Sequence, residues 1–154
     1  MKPFILATCA GLAIAGAAIA QAGATGPAQT IKMRQGNYKQ MASAMKGIND
    51  QLRADTPSIP AIRRHSALLV RHSLRVLRWF PHGSGPEARV PTRAKAEIWS
   101  DPAGFRRAGA RLLVATRQLD AAARRHDVAA VRAAVRPVQA SCGGCHDAYR
   151  GPPL

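Results

Sequence analysis

Cys142, Cys145 and His146 stand as C-x-x-C-H within Ala140-Ser141-Cys142-Gly143-Gly144-Cys145-His146-Asp147-Ala148-Tyr149-Arg150, close to the C-terminus. Thiols three positions apart lie about one helical turn from each other. Both can therefore add to the vinyl groups along one edge of a porphyrin, and the adjacent imidazole can then reach the iron as an axial ligand. Two other chemistries use the same residue types. A C-x-x-C redox pair belongs to a βαβ context, which the sequence pattern does not offer. A structural zinc ion takes four ligands, and His65, His72, His82 and His126 are scattered singly. Covalently attached haem c is the reading that uses all three residues, with Cys142 and Cys145 as thioether positions and His146 as metal ligand.

The chain has 154 residues, enough for one domain and a processed segment. Lys2 opens a stretch from Phe4 to Ile19 that is apolar or small throughout, and Ala18-Ile19-Ala20 and Ala20-Gln21-Ala22 are small-x-small cleavage sites. The run is short and rich in alanine and glycine for a membrane span. The expectation is a cleaved secretory signal over 1–22, a mature domain over 23–154 and a periplasmic location. Cys9 leaves with the signal, so no disulfide framework can form. The whole chain carries a formal charge of +15, and eighteen of its basic residues are arginine. In a cytosolic protein this balance would suggest nucleic acid; export removes that partner. What remains is solvated arginine-rich helix faces, or docking to an acidic partner or a membrane surface.

Four helices must position the motif. Ile31, Tyr38, Met41, Met45, Ile48 and Leu52 form a seam at bundle spacing in a first helix that starts after about Thr30. Arg34 falls inside this seam, either snorkelling at a helix end or meeting an acid within the bundle. Ser58 and Pro60 open a second helix. It runs from Ala61 to Phe80, with Ile62, Leu69, Val76 and Leu77 inward and Arg63, Arg64, Arg71, Arg75 and Arg78 outward. From Pro81 to Trp99 runs the single long connection. Asp101 caps a third helix with Pro102 at its first position, and Phe105, Leu112 and Leu119 give its buried face. Asp127 caps the fourth, in which Val128, Val131, Val135, Val138, Cys142 and Cys145 continue one seam past a kink expected at Pro137. No strand pattern occurs. The predicted fold is all-α: an antiparallel four-helix bundle with haem attached inside one end.

At this point the chain resembles the cytochrome c-prime family, the class II cytochromes c. Three stretches carry the resemblance: Arg34-Gln35 with Met41; Phe80-Pro81-His82-Gly83-Ser84-Gly85 through Glu97-Ile98-Trp99-Ser100-Asp101; and Cys142 to Arg150. It implies propionate contacts for Arg34 and Gln35, with Thr92 or Arg93 helping from the crossover. It also implies a place for Arg150 close to the proximal histidine. The position four residues after Arg34 is methionine in low-spin relatives, where it is the sixth iron ligand, and a non-ligating leucine, phenylalanine or tyrosine in high-spin ones. Here it is Tyr38, which implies a five-coordinate, high-spin iron with Tyr38 over the vacant face.

Two functions follow as expectations. One is an electron carrier docking an acidic redox partner. The other is a binder of nitric oxide or carbon monoxide without a carrier role. A low-spin, six-coordinate carrier is the variant to expect if the helix register is one turn off and Met41 or Met45 ligates. A haem peroxidase lacks a distal acid–base pair, so the protein is not expected to be an enzyme. Relatives often form homodimers through their first two helices, an expectation that the outward arginines here weaken.

Overall fold

The computed structural model describes residues 26–153, so the expected signal segment lies outside the described residues. Helix α1 spans Pro27–Arg53. It begins about four residues earlier than the periodicity suggests, because Pro27 suits the first helical position and the Thr30 N–H donates to Gly26 O at 3.0 Å. Helix α2 spans Ile59–Ser73, with Ser58 Oγ accepting from the Ala61 N–H.

The expected continuation of α2 to Phe80 does not occur. The chain tightens into a 3₁₀ turn over Val76–Trp79. Pro81 disfavours helical backbone at Phe80, which takes φ −123° and ψ 59°. One consequence corrects the predicted core: Val76 and Trp79 are buried, whereas Leu77, expected inward, is 39% exposed. Its side chain lies over Gly109, where a Cβ would stand 2.8 Å from Leu77 Cδ2.

The crossover holds a second 3₁₀ turn at Pro86–Ala88 and a one-turn helix, α3, at Glu97–Ser100. Helix α4 spans Pro102–Arg124, and Asp101 Oδ1 caps it by accepting from the Gly104 N–H at 2.9 Å. A tight reversal follows with His126 in the left-handed region, φ 59°. Asp127 Oδ1 accepts from the Ala130 N–H at 2.8 Å and opens α5, Val128–Tyr149. Pro137 sits inside α5 without ending it.

Helix α1 packs on α2, α2 on α4 and α4 on α5. Ile48, Leu52, Ile62, Leu69, Leu112, Leu119, Val131 and Val138 meet in the main core, as the seams predict. Ser66 Oγ donates to Asp120 Oδ1 at 2.7 Å and Thr116 Oγ1 to Ser73 Oγ at 3.3 Å, which sets α2 and α4 antiparallel. The fourth side of the square differs. The backbones of α1 and α5 hardly approach each other; Arg132 Nη2 joins them by donating to Leu52 O at 2.8 Å. That link lies about 15 Å along α5 from Cys142, at the helical rise per residue. The fold is a four-helix bundle with one open seam, and among the described residues there is no strand, only an isolated Ala94–Arg150 bridge.

Candidate haem site

Both cysteines of the motif are half-buried on α5. Cys142 packs against the main core, and Cys145 against a second cluster of Ile98, Phe105, Ala108 and Tyr149. Burial pushes both thiols above the ordinary cysteine range; for Cys145 the neighbouring Cys142 adds to this and Arg111 opposes it. His146 is exposed at the rim of the seam. Partial burial holds its imidazole below the usual histidine value, with Arg150 and Arg93 adding to the effect and Asp147 opposing it. Arg150 is brought here by the end of α5, where its N–H donates to His146 O at 3.0 Å.

Across the seam, α1 supplies Tyr38. Its ring is half-buried, edge-on to Trp79 at 5.2 Å and tilted against Phe80 at 6.4 Å. Burial pushes its hydroxyl pKa up, Cys145 and Cys142 push it further, and Arg34 opposes. Tyr38 and Cys142 pack against the same core cluster. Of the α1 methionines, Met41 is buried in the core, Met45 packs beside it and Met33 is 48% exposed. Edge-to-face contacts continue from Phe80 to Phe105 at 5.0 Å and from Phe105 to Tyr149 at 5.2 Å, lining the end of the bundle with rings.

Arg34 is 3% exposed. Its Nη1 donates to Ser84 Oγ at 3.2 Å and Trp79 O at 3.4 Å; its Nη2 donates to Ser84 O and Thr92 Oγ1, both at 2.9 Å. The guanidinium carbon lies 4.5 Å from the centre of the Phe80 ring. Burial lowers its pKa, and Tyr38 and Glu87 counter that. The charge in the α1 seam is therefore stabilised by crossover carbonyls, two hydroxyls and a ring face. Gln35 Nε2 donates to Pro91 O at 3.3 Å. Arg34, Gln35 and Thr92 converge on the crossover. Arg93 turns away to the C-terminal tail, its Nε donating to Gly151 O at 2.8 Å while the Gly151 N–H donates to Arg93 O at 2.7 Å.

Sequence reasoning did not find the partners of Arg34. Ser84, between Gly83 with φ 78° and Gly85, was visible only as a turn. Also unforeseen were the bond from Trp99 Nε1 to Phe80 O at 3.2 Å and the Tyr149 hydroxyl donating to Asp101 Oδ2 at 3.2 Å.

The residues present fit the cofactor that the motif implies. Two half-exposed thiols and an imidazole lie along one helix. That helix, α5, is one of the two that flank the open side of the bundle, and an aromatic layer with a buried cation stands on or beside the other. An open-seam helical bundle with this donor set is a c-type haem protein of the bundle class. Comparison with known proteins agrees. Residues 29–150 match the family model described as Cytochrome C'. The chain is 34% identical over 124 residues to cytochrome c' of Alcaligenes xylosoxydans xylosoxydans, covering 80% of this chain and 94% of that protein. It is 30% identical over 124 residues to cytochrome c' of Rubrivivax gelatinosus, covering 80% and 95%. A solved ferrous variant of the Alcaligenes protein with bound nitric oxide superposes with a TM-score of 0.75 at 29% identity, covering 85% of this chain and all of that one. The chain belongs to the cytochrome c' family.

Proposed function

We propose that this is an exported periplasmic electron-transfer protein with one haem c, held by Cys142 and Cys145 and ligated by His146. Its iron is five-coordinate, high-spin and open to nitric oxide or carbon monoxide on the Tyr38 side. When bound, the haem supplies a one-electron couple and a site for a diatomic gas. The observation that carries the reading is Tyr38. It is an α1 side chain that packs, as Cys142 does, against the main core, and its ring is braced by Trp79 and Phe80. A phenol with its pKa pushed upward stays protonated at neutral pH and is a poor iron ligand. Met41, the sulfur that could replace it, is packed into the core.

Arg34, Gln35 and Thr92 are assigned to the propionate end of the site, where they order the crossover. Arg150 is assigned to the surroundings of the proximal histidine. No acid–base pair is assigned on the Tyr38 side, so the reading is a carrier and gas binder rather than an enzyme. Its redox partner is proposed to be an acidic protein reached from the seam side. Optical spectra of the ferric and dithionite-reduced protein, with and without carbon monoxide, test the iron site. A high-spin ferric spectrum and a new band with carbon monoxide are expected; a six-coordinate, low-spin ferric spectrum overturns the open face.

A second reading, a nitric oxide binder with no carrier role, is favoured by the nitric-oxide-bound relative. A change of ligation on reduction would also add reorganisation cost to electron transfer. Rapid reduction by an acidic redox protein supports the carrier; steady nitric oxide binding without any fast reductant supports the binder.

A further inference from the structure

We propose that the outer face built from α2 and α4 docks the protein on an anionic phospholipid surface, with the haem seam turned away from the bilayer. From Ile59 to Trp79 the chain carries five arginines and no acidic residue. Helix α4 carries five more arginines and a single acid, Asp120. Asp120 is 9% exposed and already accepts from Ser66 Oγ and from Arg124 Nε, both at 2.7 Å. It leaves the outward charge of Arg63, Arg64 and Arg71 uncompensated. These three, with Pro60 and Arg124, border a shallow groove of about 690 Å³ on α2 and α4.

Helices α1 and α5 differ in kind. The exposed cations of α1 are mostly lysines, one of them paired with Asp50. Helix α5 has only Arg132 and Arg136, offset by Asp147. Arginine matters here because its planar fork engages phosphate oxygens in pairs and is weakly hydrated.

Apolar side chains lie on the same elements. Leu74 is 52%, Leu77 39% and Val114 55% exposed, with Arg71, Arg75, Arg78 and Arg117 near them in sequence. Arginines alternating with exposed leucine and valine suit the boundary between headgroups and acyl chains. Among the described residues no helix is long and apolar enough to cross a membrane, so the contact is peripheral. Geometry favours lipid over an acidic redox protein. In the order α1, α2, α4, α5 around the bundle, the α2–α4 face is opposite the α1–α5 seam, the side from which electrons would leave. A partner seated there would be held far from the iron, whereas a membrane seated there leaves the seam free.

Co-sedimentation of the haem-loaded protein with vesicles containing phosphatidylglycerol in phosphatidylcholine, against phosphatidylcholine alone, tests this. Binding is expected only with the anionic lipid, and to be lost in about 0.5 M salt, where the Debye length shrinks to a few ångströms. The triple variant R64Q/R71Q/R75Q is expected to bind about a hundredfold more weakly, at about fivefold per arginine near an anionic surface. The control K32Q/K39Q/K46Q removes the same charge from α1 and should stay within about twofold of the parent. Leu74→Ser with Leu77→Ser should weaken binding several-fold at unchanged charge. None of these residues lies at the haem site, so an unchanged spectrum with carbon monoxide certifies each variant as folded. Equal losses in the two triple variants would mean diffuse attraction and overturn the proposal. So would binding to polyglutamate without binding to vesicles, which would assign the face to an acidic protein, or binding to neither.

Discussion

On the proposed reading Tyr38 occupies the α1 position that a ligating methionine would take, so a single side chain sets the coordination expected here. Replacing it with methionine puts a thioether on an unbranched apolar stem at the same turn of α1. Tyr38→Met is expected to shift the ferric spectrum toward low-spin and to slow carbon monoxide binding to the reduced form. An unchanged high-spin spectrum would show that position 38 does not face the iron. Arg34 poses a different residue-scale question, because it is a buried cation whose Nη groups are satisfied by neutral acceptors. Hydrogen bonds to a charged donor contribute about 1.5–3 kcal/mol each, and guanidinium desolvation offsets part of that. Arg34→Met is therefore expected to cost about 2 kcal/mol in urea unfolding. Hydrogen exchange should rise in the crossover from Ser84 to Thr92. Arg34→Lys should recover less than half of the loss, since one ammonium cannot reach all of these acceptors. Full recovery would show that charge alone matters.

At the scale of elements, the end of α5 is fastened to two others. The Tyr149 hydroxyl reaches the Asp101 cap of α4, and the Lys95 N–H donates to Tyr149 O at 3.1 Å, binding α5 to the crossover. The Gly104 N–H holds the Asp101 carboxyl below the ordinary range, helped by the Tyr149 hydroxyl and by Arg107 and Arg106, against a smaller effect of burial. Its folded pKa lies below its unfolded one, so its contribution is present above the unfolded value near 4 and fades as pH falls through the folded value. Asp101→Asn keeps a capping oxygen and removes the charge. The stability gap between parent and variant should stay constant from about pH 7 to pH 5 and close below about pH 4; a gap that persists in acid would trace to geometry rather than charge. Elements of this kind divide sharply in how far the sequence reveals them. The caps Ser58, Asp101 and Asp127 and the seams through Ile48, Leu119 and Val131 were legible because they depend on residues a few positions apart. The early end of α2 was not, since amphipathic spacing runs on through Val76 and Leu77 while Pro81 acts on the backbone before it. The partners of Arg34 lie 45 to 58 positions away, on a connection whose path no local pattern records. The C-x-x-C-H motif was legible as chemistry; that its helix flanks the open side of the bundle was not.

That open side is a property of the whole molecule. Three of the four helix interfaces are closed by direct packing, and α2 and α4 are further joined by the Ser66–Asp120 and Thr116–Ser73 hydrogen bonds. Helix α1 rests on α2, on Trp79 of the 3₁₀ turn and on its Arg34 clamp to the crossover, with one hydrogen bond to α5 near its own C-terminus. On the α5 side its Tyr38 end therefore has little protein to pack against, and a covalently held cofactor in the seam would supply the missing surface. Burying apolar area stabilises by roughly 25 cal/mol per Å², so filling a seam of this kind should matter most for the helix that lacks a neighbour. The variant Cys142→Ala/Cys145→Ala, expressed without attached haem, is expected to unfold at a lower temperature than the haem-loaded parent. Its amide exchange should accelerate first in α1 around Arg34 to Met41, while the facing stretches of α2 and α4 stay slow. Acceleration spread evenly over all four helices would show that the bundle stands or falls as one unit and that the α1–α5 seam has no special dependence on the cofactor.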